Sequence, residues 1–116
     1  MKVFYWIIAL VGLWEFGDIV LPFIIGFGNV EIFVWNHILV GLTLMIAGVR
    51  AGLARDVRTA RTMDWIAAFA GASLILAPFL WAPPANAAGR WNDIIAGVIA
   101  LVLAVWASLA LPRGAG

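Results

Sequence analysis

The sequence predicts an all-α membrane protein with four transmembrane helices, arranged as two parallel tandem helical hairpins. Its composition, the lengths of its apolar runs and an internal repeat all favour this class. The chain has 116 residues, of which 66% are hydrophobic and 11% charged, whereas soluble domains have about 45 to 50% and about 25%. A soluble domain of this size leaves roughly a third of its chain surface in water, so it could not hide so many apolar residues. We therefore expect one integral membrane domain over residues 1–116.

Four apolar runs supply the predicted spans, at residues 4–25, 33–53, 65–81 and 91–111. Each is long enough to cross a hydrocarbon core of ~30 Å at a rise of ~1.5 Å per residue. A lipid-facing backbone must satisfy its own hydrogen bonds, and barrel strands would be shorter and alternating, so these runs predict helices. The first run contains two carboxylates and no cleavage motif, so we expect a retained span rather than a signal peptide.

The basic residues predict the orientation of the chain. Six of the seven lie at the termini or in and beside the central connection, namely Lys2, Arg50, Arg55, Arg58, Arg61 and Arg113. The positive-inside rule then places both termini and this connection in the cytoplasm, and the expected location is the inner (cytoplasmic) membrane of a prokaryote. The rings of Tyr5, Trp6 and Trp65 are expected to anchor the inner interface. The net charge of +1 indicates no nucleic-acid partner, and the absence of cysteine excludes disulfides and thiolate metal sites.

An internal repeat relates the two halves, at about residues 4–54 and 62–111. The matched pairs, each 56 residues apart, are Pro22 with Pro78, Phe23 with Phe79, Trp35 with Trp91, Asn36 with Asn92, and Gly41 with Gly97. Each unit holds two spans, so the copies enter the membrane from the same side and are related by a pseudo-twofold axis along its normal. Such parallel repeats are less typical of carriers than inverted repeats, although transporters contain both kinds.

This pattern resembles the SPW repeat of small bacterial and archaeal membrane proteins. The shared features are a proline followed by an aromatic residue late in the first span, then Trp-Asn and a glycine in the second. The Ser-Pro-Trp triplet itself is Leu-Pro-Phe in the first copy and Ala-Pro-Phe in the second. The resemblance covers nearly the whole chain and implies the two-hairpin membrane fold, but it implies no reaction.

The repeated asparagines have two interpretations. A helical proline cannot donate to the carbonyl four residues earlier, so Pro22 and Pro78 each release an acceptor that needs another donor in lipid. Asn36 and Asn92 could tie the neighbouring helix to that kinked turn through their carboxamides. They could equally be N-caps of the second helix of each hairpin.

Small residues predict close helix packing. Gly48 and Gly52 form a G-x-x-x-G step, and Ala96, Ala100 and Ala104 form a ridge along the fourth run. Such ridges let helices approach closely in lipid, and we expect them to face the bundle interior rather than another subunit.

The polar candidates are Glu15, Asp18 and His37. The two acids are three residues apart and therefore lie on one helix face, with His37 as the nearest partner. An ionised, unpaired carboxyl in a membrane is costly, so these groups are expected to face the protein interior. In the second copy Gly71, Leu74 and Asp93 occupy the corresponding positions, so we expect the first half alone to form the cluster.

The favoured function is non-enzymatic: a structural or accessory subunit that packs with itself or with a larger membrane complex. The alternative is a small proton or cation pathway that uses Glu15, Asp18 and His37. A weaker alternative is a module that binds a hydrophobic ligand between the hairpins. One histidine with two acids gives only weak support for a metal ion, and Ser73 and Ser108 have no activating base in register. We therefore predict no catalytic residue, cofactor or metal.

Overall fold

The protein is represented by a computed structural model that describes residues 2–17, 31–80 and 87–112. The described helices are α1 (Lys2–Gly17), α2 (Glu31–Leu53), α3 (Val57–Leu80) and α4 (Ala87–Ala110). These residues contain no β-strand, which confirms the all-α class. Asp18, Pro22 and Phe23 lie outside the described residues, as do the side chains of Trp35, Asn36 and Pro78.

The helices pair in chain order to form an elongated bundle of 46 × 21 × 19 Å. The most extensive contacts join α1 to α2 and α3 to α4, and the contacts α2–α3 and α1–α4 close a ring of four helices. Within the first pair, Gly12 lies against Gly41 whereas Tyr5 lies against Gly48. Because the residue numbers on α1 fall as those of their contacts on α2 rise, the two helices are antiparallel.

Helix α3 begins eight residues before the apolar run that predicted it. Asp56 caps its start, since Asp56 Oδ2 accepts hydrogen bonds of 2.9 Å from the backbone N–H and the hydroxyl of Thr59. These two hydrogen bonds stabilise the carboxylate and lower the pKa of Asp56. The cap explains how the charged stretch with Arg58 and Arg61 remains helical ahead of the apolar run.

Alanine fills most of the bundle interior. Ala96, Ala100 and Ala104 are buried along α4, as the small-residue pattern predicted, and the largest fully buried apolar side chains of the described residues are Ile8, Leu44 and Leu74. Small side chains allow the helix backbones to approach closely without leaving voids. The interior is therefore narrow.

Glycines mark the closest approach of the helices within each pair. A Cβ atom at Gly12 would lie 2.6 Å from the carbonyl oxygen of Gly41, and one at Gly97 would lie 2.6 Å from that of Gly71. Gly41 and Gly97 are the glycines matched by the repeat. Gly48 likewise lies against the α1 backbone. Gly12, Gly48 and Gly97 require glycine because the atoms that an added Cβ would meet first belong to backbone.

Large apolar side chains point outward on every helix. Examples are Leu10 on α1, Phe69 on α3 and Leu109 on α4, with exposed fractions of 63%, 80% and 73%. Among the residues that the structure describes, one segment, Trp91–Ala110, is both long and apolar enough to cross a membrane, while His37–Leu53 is apolar but shorter.

Candidate functional site

A cluster of three ionisable side chains lies inside the bundle, and it is called the polar cluster below. It consists of Glu15, His37 and Asp93, and all three side chains are fully buried. His37 Nε2 is 3.1 Å from Glu15 Oε2 and 2.5 Å from Asp93 Oδ1. Buried charged groups are costly unless they are paired, so this arrangement is a strong structural constraint.

Three helices bring the polar cluster together at one end of the bundle. Glu15 lies in the last described turn of α1, and His37 and Asp93 lie in the second turns of α2 and α4. Since α1 is antiparallel to α2, the end of the first and the start of the second are at the same level. The short side chains around them, such as Ala96 one turn beyond Asp93, leave room for the three polar groups.

Asn92 and Trp14 surround the polar cluster. Trp14 Nε1 donates a hydrogen bond of 2.7 Å to Asn92 Oδ1. Asn92 Nδ2 in turn lies 3.4 Å from Glu15 Oε1 and 3.4 Å from Asp93 Oδ1, which are long, weak contacts. The amide thus connects α1 with α4 and orients both carboxylates.

The sequence predicted part of this cluster correctly. Glu15 and His37 do contact each other, whereas Asp18 lies outside the described residues. The prediction that the first half alone forms the cluster is wrong, because the second hairpin contributes Asp93 and Asn92. Sequence reasoning missed Asp93 although it occupies the repeat position of His37.

The repeat itself contained a signal for Asp93. His37 and Asp93 are 56 residues apart and in direct contact. In the predicted two-copy arrangement, positions related by the twofold axis touch only if both lie beside that axis. The repeat therefore offers Asp93 as a candidate partner of His37, and the packing of the two hairpins shows that they touch.

The N-cap interpretation of the asparagines is wrong. Asn36 and Asn92 are each the sixth residue of a helix, since α2 begins at Glu31 and α4 at Ala87. The hydrogen bonds described for Asn92 reach Trp14, Glu15 and Asp93. The tie of the asparagines to the proline turn stays a prediction, because the side chains of Asn36 and Pro78 lie outside the described residues.

A buried pair of polar side chains, separate from the polar cluster, lies towards the other end of the bundle. The hydroxyl of Tyr5 donates a hydrogen bond of 3.3 Å to Asp64 Oδ2, joining α1 to α3. The sequence predicted that Tyr5 anchors the membrane interface. That prediction is wrong, because Tyr5 faces the bundle interior. Burial raises the pKa of Asp64, just before the apolar run of α3, from 3.8 to about 7, and Tyr5 and the nearby Arg61 offset part of that rise.

Replacement of Asp64 by asparagine is expected to change how stability depends on pH. Between about pH 4 and pH 7 the folded protein holds a proton on Asp64 that the unfolded chain releases, so stability should fall as pH rises through this range. Asp64→Asn keeps an acceptor for Tyr5 and removes the contribution of this proton to the pH dependence of stability. Unfolding of the detergent-solubilised protein at several pH values measures the difference.

Asp56→Asn is the matched control for that measurement. The Asp56 carboxylate has a lowered pKa, so its contribution to the stability of the folded protein is lost only in more acidic solution. If the wild type and Asp64→Asn lose stability equally between about pH 4 and pH 7, the proton on Asp64 is not the cause.

Two apolar grooves lie between the hairpins, one at α2–α3 of about 610 Å³ and one at α1–α4 of about 360 Å³. Five positions that line one groove have counterparts 56 residues away in the other. These pairs are Leu39 with Ile95, Val40 with Ala96, Thr43 with Ile99, Ile66 with Leu10, and Ala70 with Trp14. The α1–α4 groove also includes Asn92, so it reaches the polar cluster.

No protein-family model, curated protein or solved structure matches this chain. The resemblance to the SPW repeat therefore stays a prediction, and the interpretation of the site depends on its own residues and geometry.

Proposed function

We propose that the chain is a non-enzymatic integral membrane protein with four spans in two tandem hairpins. In this proposal it acts as a structural or accessory subunit that packs with itself or with a larger membrane complex. Both termini and the α2–α3 connection face the cytoplasm.

The observation that supports this function best is the distribution of side chains between interior and surface. The four ionisable side chains Glu15, His37, Asp64 and Asp93 are at most 1% exposed, whereas Phe69 on the outer surface is 80% exposed. A soluble monomer rarely exposes extended apolar patches, because water disfavours them. Lipid or the apolar surface of another membrane subunit would cover such faces at no cost.

The spacing of structural features supports the duplicated hairpin. The two grooves share five lining positions at a shift of 56 residues, and the contact between His37 and Asp93 spans the same interval. Two copies of one hairpin packed around a twofold axis account for both features. The grooves lie at the two junctions between the copies, where a lipid chain or the hydrophobic ligand of the weaker alternative would also bind.

A second candidate function is the binding of a cation, which the polar cluster favours. The alternative predicted from the sequence was a proton or cation pathway. Between the polar cluster and the pair formed by Tyr5 and Asp64, the described core is built from apolar residues such as Ile8 and Leu44. This arrangement favours a binding site over a continuous pathway.

Cysteine labelling would test the four-span proposal, because the natural chain contains no cysteine. Single variants Asn29→Cys, Ala85→Cys and Asp56→Cys would be treated in intact cells with a membrane-impermeant maleimide. We expect labelling at positions 29 and 85 and protection at position 56, with labelling at 56 after the cells are opened. The protein should also co-sediment with membranes and elute in mild detergent as an oligomer or with partner subunits.

Several results would contradict the proposal. Positions 29 and 85 on opposite sides of the membrane would exclude two parallel hairpins, and a chain recovered from the soluble fraction would exclude membrane insertion. A chain that always elutes alone as a monomer in mild detergent would exclude the accessory role while leaving the topology intact.

A further inference from the structure

Two carboxylate oxygens converge on a single imidazole nitrogen in the polar cluster. Glu15 Oε2 and Asp93 Oδ1 both approach His37 Nε2, at 3.1 Å and 2.5 Å. One ring nitrogen carries at most one hydrogen, so it cannot donate a full hydrogen bond to both oxygens. A bound transition-metal ion would need such a convergence of nitrogen and oxygen atoms on one point, and the sequence alone did not show it.

We propose that Glu15, His37 and Asp93 bind one divalent transition-metal ion, with Zn²⁺ as the type case. Imidazole nitrogen and carboxylate oxygen are ligands that Zn²⁺ and related dications prefer. Two carboxylates, a neutral imidazole and a dication together carry no net charge, which is the least costly form to bury. The inference rests on the second candidate function, cation binding by the polar cluster, and names the class of ion; it is independent of the accessory role because it depends only on the bundle interior.

The distances between the donor atoms fit such an ion after a small adjustment. The three candidate ligand atoms lie within 4.8 Å of one another. A tetrahedral ion with bonds of about 2.0 to 2.2 Å holds its ligand atoms roughly 3.3 to 3.6 Å apart. Asp93 Oδ2 is buried and has no hydrogen-bond partner among the described residues, so a rotation of this carboxylate can present it to the ion.

The surroundings of the polar cluster match those of a metal site. Asn92 contacts both carboxylates and is itself fixed by Trp14, so it acts as a positioning residue for two ligands. Trp14 and Asn92 also line the α1–α4 groove, so this groove reaches the edge of the polar cluster. Three protein ligands leave a fourth coordination position for water or another small ligand.

Cobalt substitution tests the proposal on the full chain purified in detergent. After chelator treatment and dialysis, Co²⁺ is titrated while its visible ligand-field absorption is followed. We expect one Co²⁺ per chain and displacement by Zn²⁺. Mg²⁺ at equal concentration should not displace Co²⁺, because Mg²⁺ requires octahedral oxygen coordination.

Substitutions separate the ligands from the rest of the interior. We expect Asp93→Asn to weaken Co²⁺ binding at least a hundredfold, and Asn92→Leu to weaken it by about 10- to 100-fold with the stoichiometry unchanged. Asp64→Asn is the matched control, since it removes a buried carboxylate outside the polar cluster and should leave the affinity unchanged. Helical content measured by circular dichroism identifies any variant that does not fold.

Asp93→Cys gives a direct spectroscopic signature of metal binding at position 93, even if Asp93→Asn fails to fold. The chain has no other cysteine, so a thiolate-to-cobalt charge-transfer band can arise only from position 93. Absence of that band in a folded variant, absence of Co²⁺ binding by the wild type, or equal binding by Asp93→Asn would each overturn the proposal. None of these results would affect the membrane topology, which the labelling experiment tests separately.

Discussion

His37→Leu is expected to destabilise the protein by about 3 to 5 kcal/mol, the loss typical of a buried ion pair from which one partner is removed. The imidazole lies between the carboxylates of Glu15 and Asp93, and all three side chains are fully buried. Without it, two acidic groups would face each other in the bundle interior. Unfolding of the detergent-solubilised protein in the presence of a chelator measures the loss without a contribution from bound metal.

The variant that combines His37→Leu, Glu15→Leu and Asp93→Leu separates charge from packing. Replacement of a whole buried ionic group by apolar side chains is often neutral or stabilising, so this variant should recover most of the lost stability. If it is as unstable as His37→Leu alone, the destabilisation comes from the shape of the imidazole and its packing.

Gly97→Ala is expected to destabilise the α3–α4 pair by about 2 kcal/mol, as overpacking of a tight interior does. The new Cβ would lie 2.6 Å from the carbonyl oxygen of Gly71 and 2.7 Å from Ile75 Cγ1. The carbonyl belongs to the backbone, so the helices must move apart. This loss should occur although alanine is favoured over glycine in a helix by about 1 kcal/mol.

Gly52→Ala is the matched control, because it makes the same chemical change where the neighbour can move. A Cβ at Gly52 would meet the ring of Trp6 at 3.2 Å, and Trp6 lies at the surface. We expect this variant to be as stable as the wild type or up to about 1 kcal/mol more stable. Equal stability of Gly97→Ala and the wild type would mean that the two helices are not in backbone contact.

The predictable part of the fold is the part that depends on local patterns. The apolar runs predicted four helices, and the described helices α1 to α4 overlap these runs, although residues 18–25 of the first run lie outside the described residues. Helix α3 begins earlier than its run because a capping residue such as Asp56 can begin a helix in polar sequence, which hydropathy does not report. The burial of Ala96, Ala100 and Ala104 was also predictable, because a ridge of small residues has a packing role wherever helices approach closely.

The candidate site was predictable only in part. Glu15 and His37 were identified because ionisable residues in apolar runs must face an interior. Asp93 and the pair formed by Tyr5 and Asp64 were missed, since each involves a contact between the two hairpins. Hydropathy and spacing describe one helix at a time and contain no information on how two hairpins are rotated against each other.

The sequence by itself therefore determined the all-α class, the four helices of the described residues and the small residues along which these helices pack. Only the tertiary structure decided that Asp93 completes the polar cluster and that Tyr5 faces inward. The physical reason is that helix formation depends on hydrogen bonds and apolar periodicity within a segment. The choice of buried partners depends instead on the angle and depth at which separate helices pack, and that is settled by all of their side chains together.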